Sequence, residues 1–105
     1  VQTCALPIYE QLEGITRMGA AAYTPKQIAF SLGLRPYDFL TVIMDENSDV
    51  AVAYYKGFYS SELSIRESVM KLARDGSSPA QTLALKYFDE TRKTIIKDGI
   101  TSQEI

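Results

Sequence analysis

The sequence predicts an all-α fold, with an N-terminal three-helix helix-turn-helix unit followed by a long antiparallel helical hairpin. Apolar residues recur at the helical spacing of three and four positions through most of the chain. Proline, serine, threonine and glycine residues interrupt this pattern where helices are expected to start and stop. Strand signals are sparse, because the best β-like run, residues 41–44, only continues a helical pattern.

The first helix is predicted over about residues 9–21. Leu12, Ile15 and Met18 lie on one side of this segment, as an amphipathic helix requires. Its glycines lower the intrinsic helix propensity, so the helix is expected to depend on packing against the rest of the unit.

Residues 24–44, TPKQIAFSLGLRPYDFLTVIM, are the most informative stretch because they predict two short helices joined by a turn at Gly33. Thr24 caps the first helix, with Pro25 in its first turn, and Pro36 opens the second. In a helix-turn-helix, two such helices pack together and one face of the second stays free to enter a groove. A short helical hairpin within any small bundle has the same spacing. The apolar residues expected on the buried side are Ile28, Ala29, Leu32, Phe39, Leu40 and Ile43.

Polar residues 45–49 separate this motif from a long helix predicted over 49–74. Asn47 and Ser48 are both candidate caps at its start, and Gly76 is expected to end it in the left-handed conformation. Gly57 lies inside the helix and marks either a small kink or the close approach of another helix. The apolar stripe expected to pack along this helix consists of Val52, Tyr55, Tyr59, Leu63, Val69 and Leu72.

The last helix is predicted to run from Pro79 to about Lys97, with Ser78 as its N-cap. The short connection before it forces the last two helices to lie antiparallel. Residues 99–105 are expected to form a flexible tail. The apolar face expected on the last helix consists of Ala80, Leu83, Ala84, Tyr87, Phe88, Thr91 and Ile95.

Composition argues against several classes of function. The 105 residues suffice for one small domain, or a domain with an arm, and the net charge of −2 argues against a strongly basic nucleic-acid protein. The sequence contains no histidine and no phosphate-cradling glycine motif, so we expect a non-enzymatic protein with no cofactor and no metal site. No apolar run approaches the ~18 residues of a membrane span, so no membrane partner is expected.

Residues 1–8, VQTCALPI, resemble the translation of a sequencing-library adapter. We expect this segment to be non-native, so that the natural sequence begins near Tyr9 and Cys4 has no function. A single cysteine cannot form an internal disulfide, which suits a reducing compartment, and we therefore expect a cytoplasmic protein.

The cations of residues 9–46 are Arg17, Lys26 and Arg35. The last two lie beside predicted helix N-termini, where a cation and free backbone amides together favour phosphate. Tyr37 and Thr41 lie off the buried side of the second motif helix, where they can donate to phosphate or contact a thymine methyl group. A solvent-exposed surface with no ligand explains these residues equally well.

An aromatic cluster, Tyr54, Tyr55, Phe58 and Tyr59, follows in the long helix. These side chains point around too much of the helix for one partner helix to cover them all. An exposed part of the cluster would form a protein interface, whereas burial against the N-terminal helices would make it core.

The order of these segments resembles the small terminase subunit of tailed bacteriophages. The motif TPKQIAFSLGL and the hairpin sequence AYYKGFYSSELSIRESVMKLARDGSSPAQTLALKYFDE carry the resemblance, which covers about residues 20–93. Such subunits are non-enzymatic. They recognise viral DNA through the helix-turn-helix, form rings through the hairpin, and deliver the DNA to the large terminase subunit.

The resemblance implies that Lys26, Arg35, Tyr37 and Thr41 contact double-stranded DNA, with Arg17 as a further cation of the same unit. The chain departs from the family pattern because its second motif helix carries no cation after Arg35. A homo-oligomeric ring would compensate, since linked weak sites gain affinity through effective concentration. The residues implied for hairpin packing and the ring interface are Tyr55, Phe58, Tyr59, Leu63 and Val69.

The expected organisation is a helix-turn-helix DNA-binding unit at 9–46, an oligomerising helical hairpin at 47–98 and a tail at 99–105. A phage-encoded protein of this kind would act in the host cell cytoplasm. Two other interpretations fit the sequence. One is a structural or adaptor helical protein that does not bind DNA, and the other is a small helix-turn-helix transcriptional regulator or transposase-associated protein.

Overall fold

The computed structural model describes the backbone of residues 9–104 and the side-chain surroundings of residues 11–99. This part of the chain is helical and contains no strand, which confirms the predicted all-α fold. The proposed non-native segment and Cys4 lie outside the described residues. The helices are α1 (Tyr9–Ala20), α2 (Pro25–Leu32), α3 (Pro36–Met44), α4 (Asp49–Arg74) and α5 (Ser78–Glu104).

The start of α2 is fixed by the capping residues that the sequence predicts. Thr24 accepts a hydrogen bond from the Gln27 amide, and the Gln27 side chain accepts one from the Thr24 amide, which completes a capping box. Gly33 ends the helix with φ +73°. The Leu34 amide then bonds to the Ala29 carbonyl, the bond that identifies a Schellman motif.

The connection from α3 to α4 is closed by Ser48. Its hydroxyl accepts a hydrogen bond from the Ala51 amide and donates one to the Val42 carbonyl. One side chain therefore caps the start of α4 and satisfies a carbonyl near the end of α3, which confirms Ser48 as the cap.

The start and the end of α5 both differ from the prediction. Gly76 adopts the predicted left-handed conformation at φ +107°, but the Ser77 hydroxyl, and not that of Ser78, accepts the Ala80 amide. The cap thus lies one residue earlier. At the other end α5 continues to Glu104, so the expected tail is helical over residues 99–104. Gly99 lacks the positive φ that a left-handed cap requires, so the helix does not stop there.

The chain divides into two compact units. Unit 1 ends at Leu63 and unit 2 begins at Ser64, so the division falls inside α4. The sequence analysis placed this boundary near residues 46–47. The difference arises because the first half of α4 supplies core side chains to unit 1, among them Val50 and Tyr54.

Unit 1 has a continuous apolar core. α2 and α3 pack against each other, and side chains of all four helices in this unit contribute. The predicted inward positions Ile28, Ala29, Phe39 and Ile43 are buried, whereas Leu40 stays exposed. The core cluster consists of Ile15, Ile28, Ala29, Phe39, Ile43, Val50 and Tyr54.

Helices α1 and α4 approach each other through glycines. A Cβ atom on Gly57 would overlap the Thr16 carbonyl group, and one on Gly19 would lie 2.5 Å from the Tyr54 carbonyl oxygen. Neither position has room for a side chain. Of the two roles predicted for Gly57, the structure therefore shows the close approach of another helix.

The apolar stripe predicted on α4 is not the surface that the helix buries. Val52, Tyr59 and Leu63 are exposed, and α4 instead buries Val50, Ala51, Tyr54 and Gly57. Those residues are offset around the helix from the predicted stripe. Because Ala51 and Gly57 are small, they allow close helix contact, and neither residue belongs to the predicted stripe.

Unit 2 is an antiparallel hairpin made by the end of α4 and by α5. Near the turn, the side-chain amide of Gln81 donates from Nε2 to the Ala73 carbonyl at 2.9 Å. Further from the turn, the Arg66 guanidinium lies 4.0 Å from the centre of the Tyr87 ring. The second contact lies further from the turn than the first on both helices. This is the pattern that antiparallel packing requires.

Candidate nucleic-acid interface

Helix α3 presents two unlike faces. Phe39 is 1% exposed and Ile43 is also buried, whereas Tyr37 is 80% exposed and Thr41 lies one helical turn further along the same side. The Thr41 hydroxyl donates to the Tyr37 carbonyl at 2.9 Å, so its oxygen still has lone pairs directed to solvent. The predicted contact residues Tyr37 and Thr41 therefore share an accessible surface.

Arg35 precedes α3 and is joined to a carboxylate. Its Nε donates to Asp38 Oδ2 at 2.8 Å, an ion pair within the first turn of the helix. Both side chains remain partly exposed. The pair was not predicted from the sequence, although a separation of three residues is the usual signal for an ion pair on a helix.

Lys26 lies exposed in the first turn of α2, which carries no acidic residue. The amides of Gln27 and Thr24 are already used within the capping box. A phosphate at this end of α2 would therefore meet the Lys26 ammonium, and not the capped amides.

The N-terminus of α3 differs from that of α2 because no side chain caps it. Pro36 has no amide hydrogen, which leaves the Tyr37 and Asp38 amides as the orphan donors of the first turn. These amides lie at the N-terminus of the helix, which is the positive end of the helix dipole. The start of α3 therefore offers uncapped backbone amides to an anion, but the Asp38 carboxylate lies in the same turn.

Comparison of the chain with protein-family models, with curated proteins and with solved structures finds no match. Within residues 9–104, no group of three or more metal-ligating side chains is placed to hold an ion. None of the helices described is long and apolar enough to cross a membrane. Function is therefore inferred from the geometry of the chain's own residues.

The aromatic cluster on α4 is divided between the core and the surface. Tyr54 is buried, and its hydroxyl donates to the Tyr23 carbonyl at 2.8 Å. Burial, followed by the neighbouring phenols of Tyr55 and Tyr59, raises the pKa of Tyr54 above its ordinary value of 10.0. Phe58 is partly buried and packs against the core cluster, and its role in an interface stays a prediction.

Tyr55 and Tyr59 form the exposed half of the cluster. Their rings stack with centroids 5.9 Å apart, and Tyr59 is 58% exposed. Together with Ile43, Met44 and Glu46 they line an open groove of about 580 Å³ in unit 1. No role was predicted for Met44, which is 79% exposed and lies one helical turn after the exposed Leu40.

Unit 2 exposes most of its apolar side chains. Among its described residues only Ala80 and Ala84 are buried hydrophobics, and Val69 is half-buried. The hairpin carries a second open groove of about 380 Å³, with Leu85 and Phe88 in its lining. The buried face predicted for α5 is therefore only partly right, since its alanines are covered and Tyr87 is half-buried, whereas Leu83, Phe88 and Ile95 are exposed.

The predicted DNA contacts occupy separate helices of unit 1. Arg35, Tyr37 and Thr41 belong to the start and the outer face of α3. Lys26 belongs to the first turn of α2, and Arg17 lies exposed in the last turn of α1. Their role in binding remains a prediction.

Proposed function

We propose that this chain is a non-enzymatic DNA-recognition subunit of a phage packaging terminase, acting in the host cell cytoplasm. It binds duplex DNA through α2 and α3 as a helix-turn-helix and passes the DNA to a large terminase subunit. The observation that carries the proposal is the one-sidedness of α3. Its inner residues are anchored in the core, while Tyr37 and Thr41 are exposed beside an uncapped helix N-terminus.

The charges indicate that one copy binds weakly. The net charge is −2, and Arg35 is already paired with Asp38. Each phosphate contact contributes a modest, salt-sensitive amount to affinity. Several copies joined in one particle would raise the affinity through effective concentration, without any new contact.

Self-association through α4 and α5 supplies those copies. The exposed side chains of Tyr55, Tyr59 and Leu63 on α4, and the apolar groove of unit 2, are surfaces that an assembled particle would cover. Because the grooves of the two units differ in their residues, a head-to-tail contact that closes into a ring suits this chain.

The proposal is tested by titrating labelled duplex DNA with the full chain at several salt concentrations. We expect salt-sensitive binding, and the Lys26→Ala/Arg35→Ala double variant should weaken it and flatten the salt dependence. Lys86→Ala/Lys93→Ala removes two charges from α5 in unit 2 and should change little, which makes it the matched control. Undiminished binding by the double variant would place the contact surface elsewhere.

A structural or adaptor role without DNA binding is the second candidate. The observation that favours it is the apolar surface of unit 2, because such surfaces bind proteins. Light scattering and the duplex titration separate the possibilities. A ring that binds duplex DNA supports the terminase subunit, and an assembly with no salt-sensitive affinity supports the adaptor. A stable dimer that requires a palindromic duplex supports the regulator or transposase-associated protein.

A further inference from the structure

We propose that Asp38 is an internal competitor for DNA phosphate. It holds Arg35 and lowers the affinity of the motif for duplex DNA of every sequence. The inference rests on the proposed function of α2 and α3. Its basis is the ion pair at the start of α3, where Arg35 Nε lies 2.8 Å from Asp38 Oδ2.

Asp38 interacts with the same groups of α3 that would bind a DNA phosphate. A phosphate at the start of α3 would use the Arg35 guanidinium and the positive end of the helix dipole. The Asp38 carboxylate already interacts with that guanidinium and sits in the first helical turn, where the dipole stabilises a negative charge. A phosphate must therefore displace Asp38 from Arg35 and tolerate its charge.

The pair depends only on local structure. Its residues are three positions apart, and the turn that joins them is fixed by Pro36. It therefore forms whenever α3 is folded, before any DNA is present. The start of α2 can be compared with the start of α3, because the first turn of α2 carries Lys26 and no acidic residue.

The competition acts on every DNA sequence alike. Phosphate contacts fix the position of a protein on the duplex but carry no sequence information. Suppressing one of them lowers the affinity for every duplex by a similar factor, because base contacts from the exposed face of α3 are not affected. Removing the competitor should therefore raise the affinity for all duplexes by a similar factor.

The test is a salt-dependent titration of several labelled duplexes of unrelated sequence with the full chain and its variants. Asp38→Asn should raise the affinity for each duplex by up to about fivefold, the value of an exposed ion pair. It should also steepen the plot of log affinity against log salt by about 0.9, one additional phosphate contact. Asp38→Glu, which keeps the carboxylate, should resemble the unmodified chain.

Two controls make the result specific to the pair. Asp75→Asn changes the net charge equally and also breaks an exposed ion pair, that with Lys71 at 3.2 Å in unit 2. It should leave DNA affinity unchanged. When Arg35 is already replaced by alanine, Asp38→Asn should raise the affinity for duplex DNA much less, because there is no guanidinium for the substitution to release.

Three outcomes overturn the inference, and they are distinguishable. If no variant binds duplex DNA, the proposed function fails and the inference fails with it. If the Lys26→Ala/Arg35→Ala variant weakens binding but Asp38→Asn does not strengthen it, only the inference fails. The third outcome is that Asp38→Asn raises the DNA affinity equally in the unmodified chain and in the Arg35→Ala variant. That result would mean that Asp38 only repels phosphate by its charge, and it would also overturn the inference.

Discussion

Unit 1 and unit 2 are both built from helices, but they bury very different side chains. Unit 1 encloses Phe39, Ile15 and Ile28 almost completely. Unit 2 buries only Ala80 and Ala84 among its described hydrophobic residues. Two helices can cover a narrow seam between them, whereas four can surround a core.

The difference separates a unit that has its own core from one that needs a partner surface. Apolar burial stabilises by about 25 cal/mol per Å², so unit 1 gains most of its stability internally. Unit 2 leaves leucine, isoleucine and phenylalanine side chains in water. We infer that unit 2 becomes stable largely through what covers it, which agrees with its proposed role in assembly.

The most direct way to break this comparison is to truncate one phenylalanine in each unit. Phe39→Ala should lower the free energy of unfolding by about 3–5 kcal/mol, because it removes a fully buried ring. Phe88→Ala should cost about 1 kcal/mol or less, since Phe88 is 52% exposed. Urea denaturation at low protein concentration measures both effects.

Protein concentration sharpens the same experiment. If copies assemble through unit 2, the effect of Phe88→Ala should grow with concentration, while that of Phe39→Ala should not. A large effect of Phe88→Ala in dilute, monomeric protein would contradict the comparison, because it would mean that unit 2 has an internal core after all.

A second test exchanges a glycine in each unit for alanine. Gly57→Ala should destabilise by about 3 kcal/mol, because its Cβ would overlap the Thr16 backbone, which cannot move away as a flexible side chain could. Gly99→Ala is the matched control in α5, where no atom lies within 4 Å of the new Cβ. It should stabilise by about 0.5–1 kcal/mol.

Thermal unfolding followed by circular dichroism compares the two glycine variants. A mild effect of Gly57→Ala would show that α1 and α4 separate easily, and unit 1 would then lose its distinction as the closely packed unit. A destabilising Gly99→Ala would show that this part of α5 has neighbours in solution.

The smallest expected effect concerns Tyr54. Tyr54→Phe removes the hydrogen bond to the Tyr23 carbonyl and should cost about 1 kcal/mol at neutral pH. Because its folded-state pKa is raised above 10.0, this phenol stabilises fully below about pH 10 and loses that contribution as the pH rises through the folded-state value. The difference between the unmodified chain and Tyr54→Phe should therefore shrink above pH 10.

Tyr87→Phe is the corresponding control in unit 2. It keeps the ring beneath the Arg66 guanidinium and should leave the stability at neutral pH nearly unchanged. Denaturant titrations over a series of pH values give all three curves. A gap between the unmodified chain and Tyr54→Phe that stayed constant above pH 10 would argue against the buried phenol as its source.

Local signals in the sequence predicted the helices well. Thr24, Gly33, Ser48 and Gly76 act at helix ends through their own side chains or backbone conformations, so their roles can be inferred without tertiary structure. The cap of α5 was predicted one residue too late, at Ser78 and not at Ser77, because both serines are suitable caps. Local sequence does not choose between two adjacent serines.

Tertiary features were harder to predict. The buried side of α4 was misassigned because Ala51 and Gly57 contribute through their small size, which a search for large apolar residues overlooks. Tyr37 and Thr41 were predicted correctly as exposed, since helical spacing alone separates them from Phe39, whereas Leu40 was predicted to be buried and is exposed. The link between Arg35 and Asp38 required side-chain positions that spacing only suggests.

The contacts between α1 and α4 also constrain the order in which the chain can fold. Tyr54 bonds to a carbonyl 31 residues earlier, so this contact requires closure of a long loop. During synthesis, unit 1 cannot complete its core until the ribosome has released the first half of α4. The hairpin has no such delay, because its two helices meet across a turn of a few residues and can pair outward from Gly76.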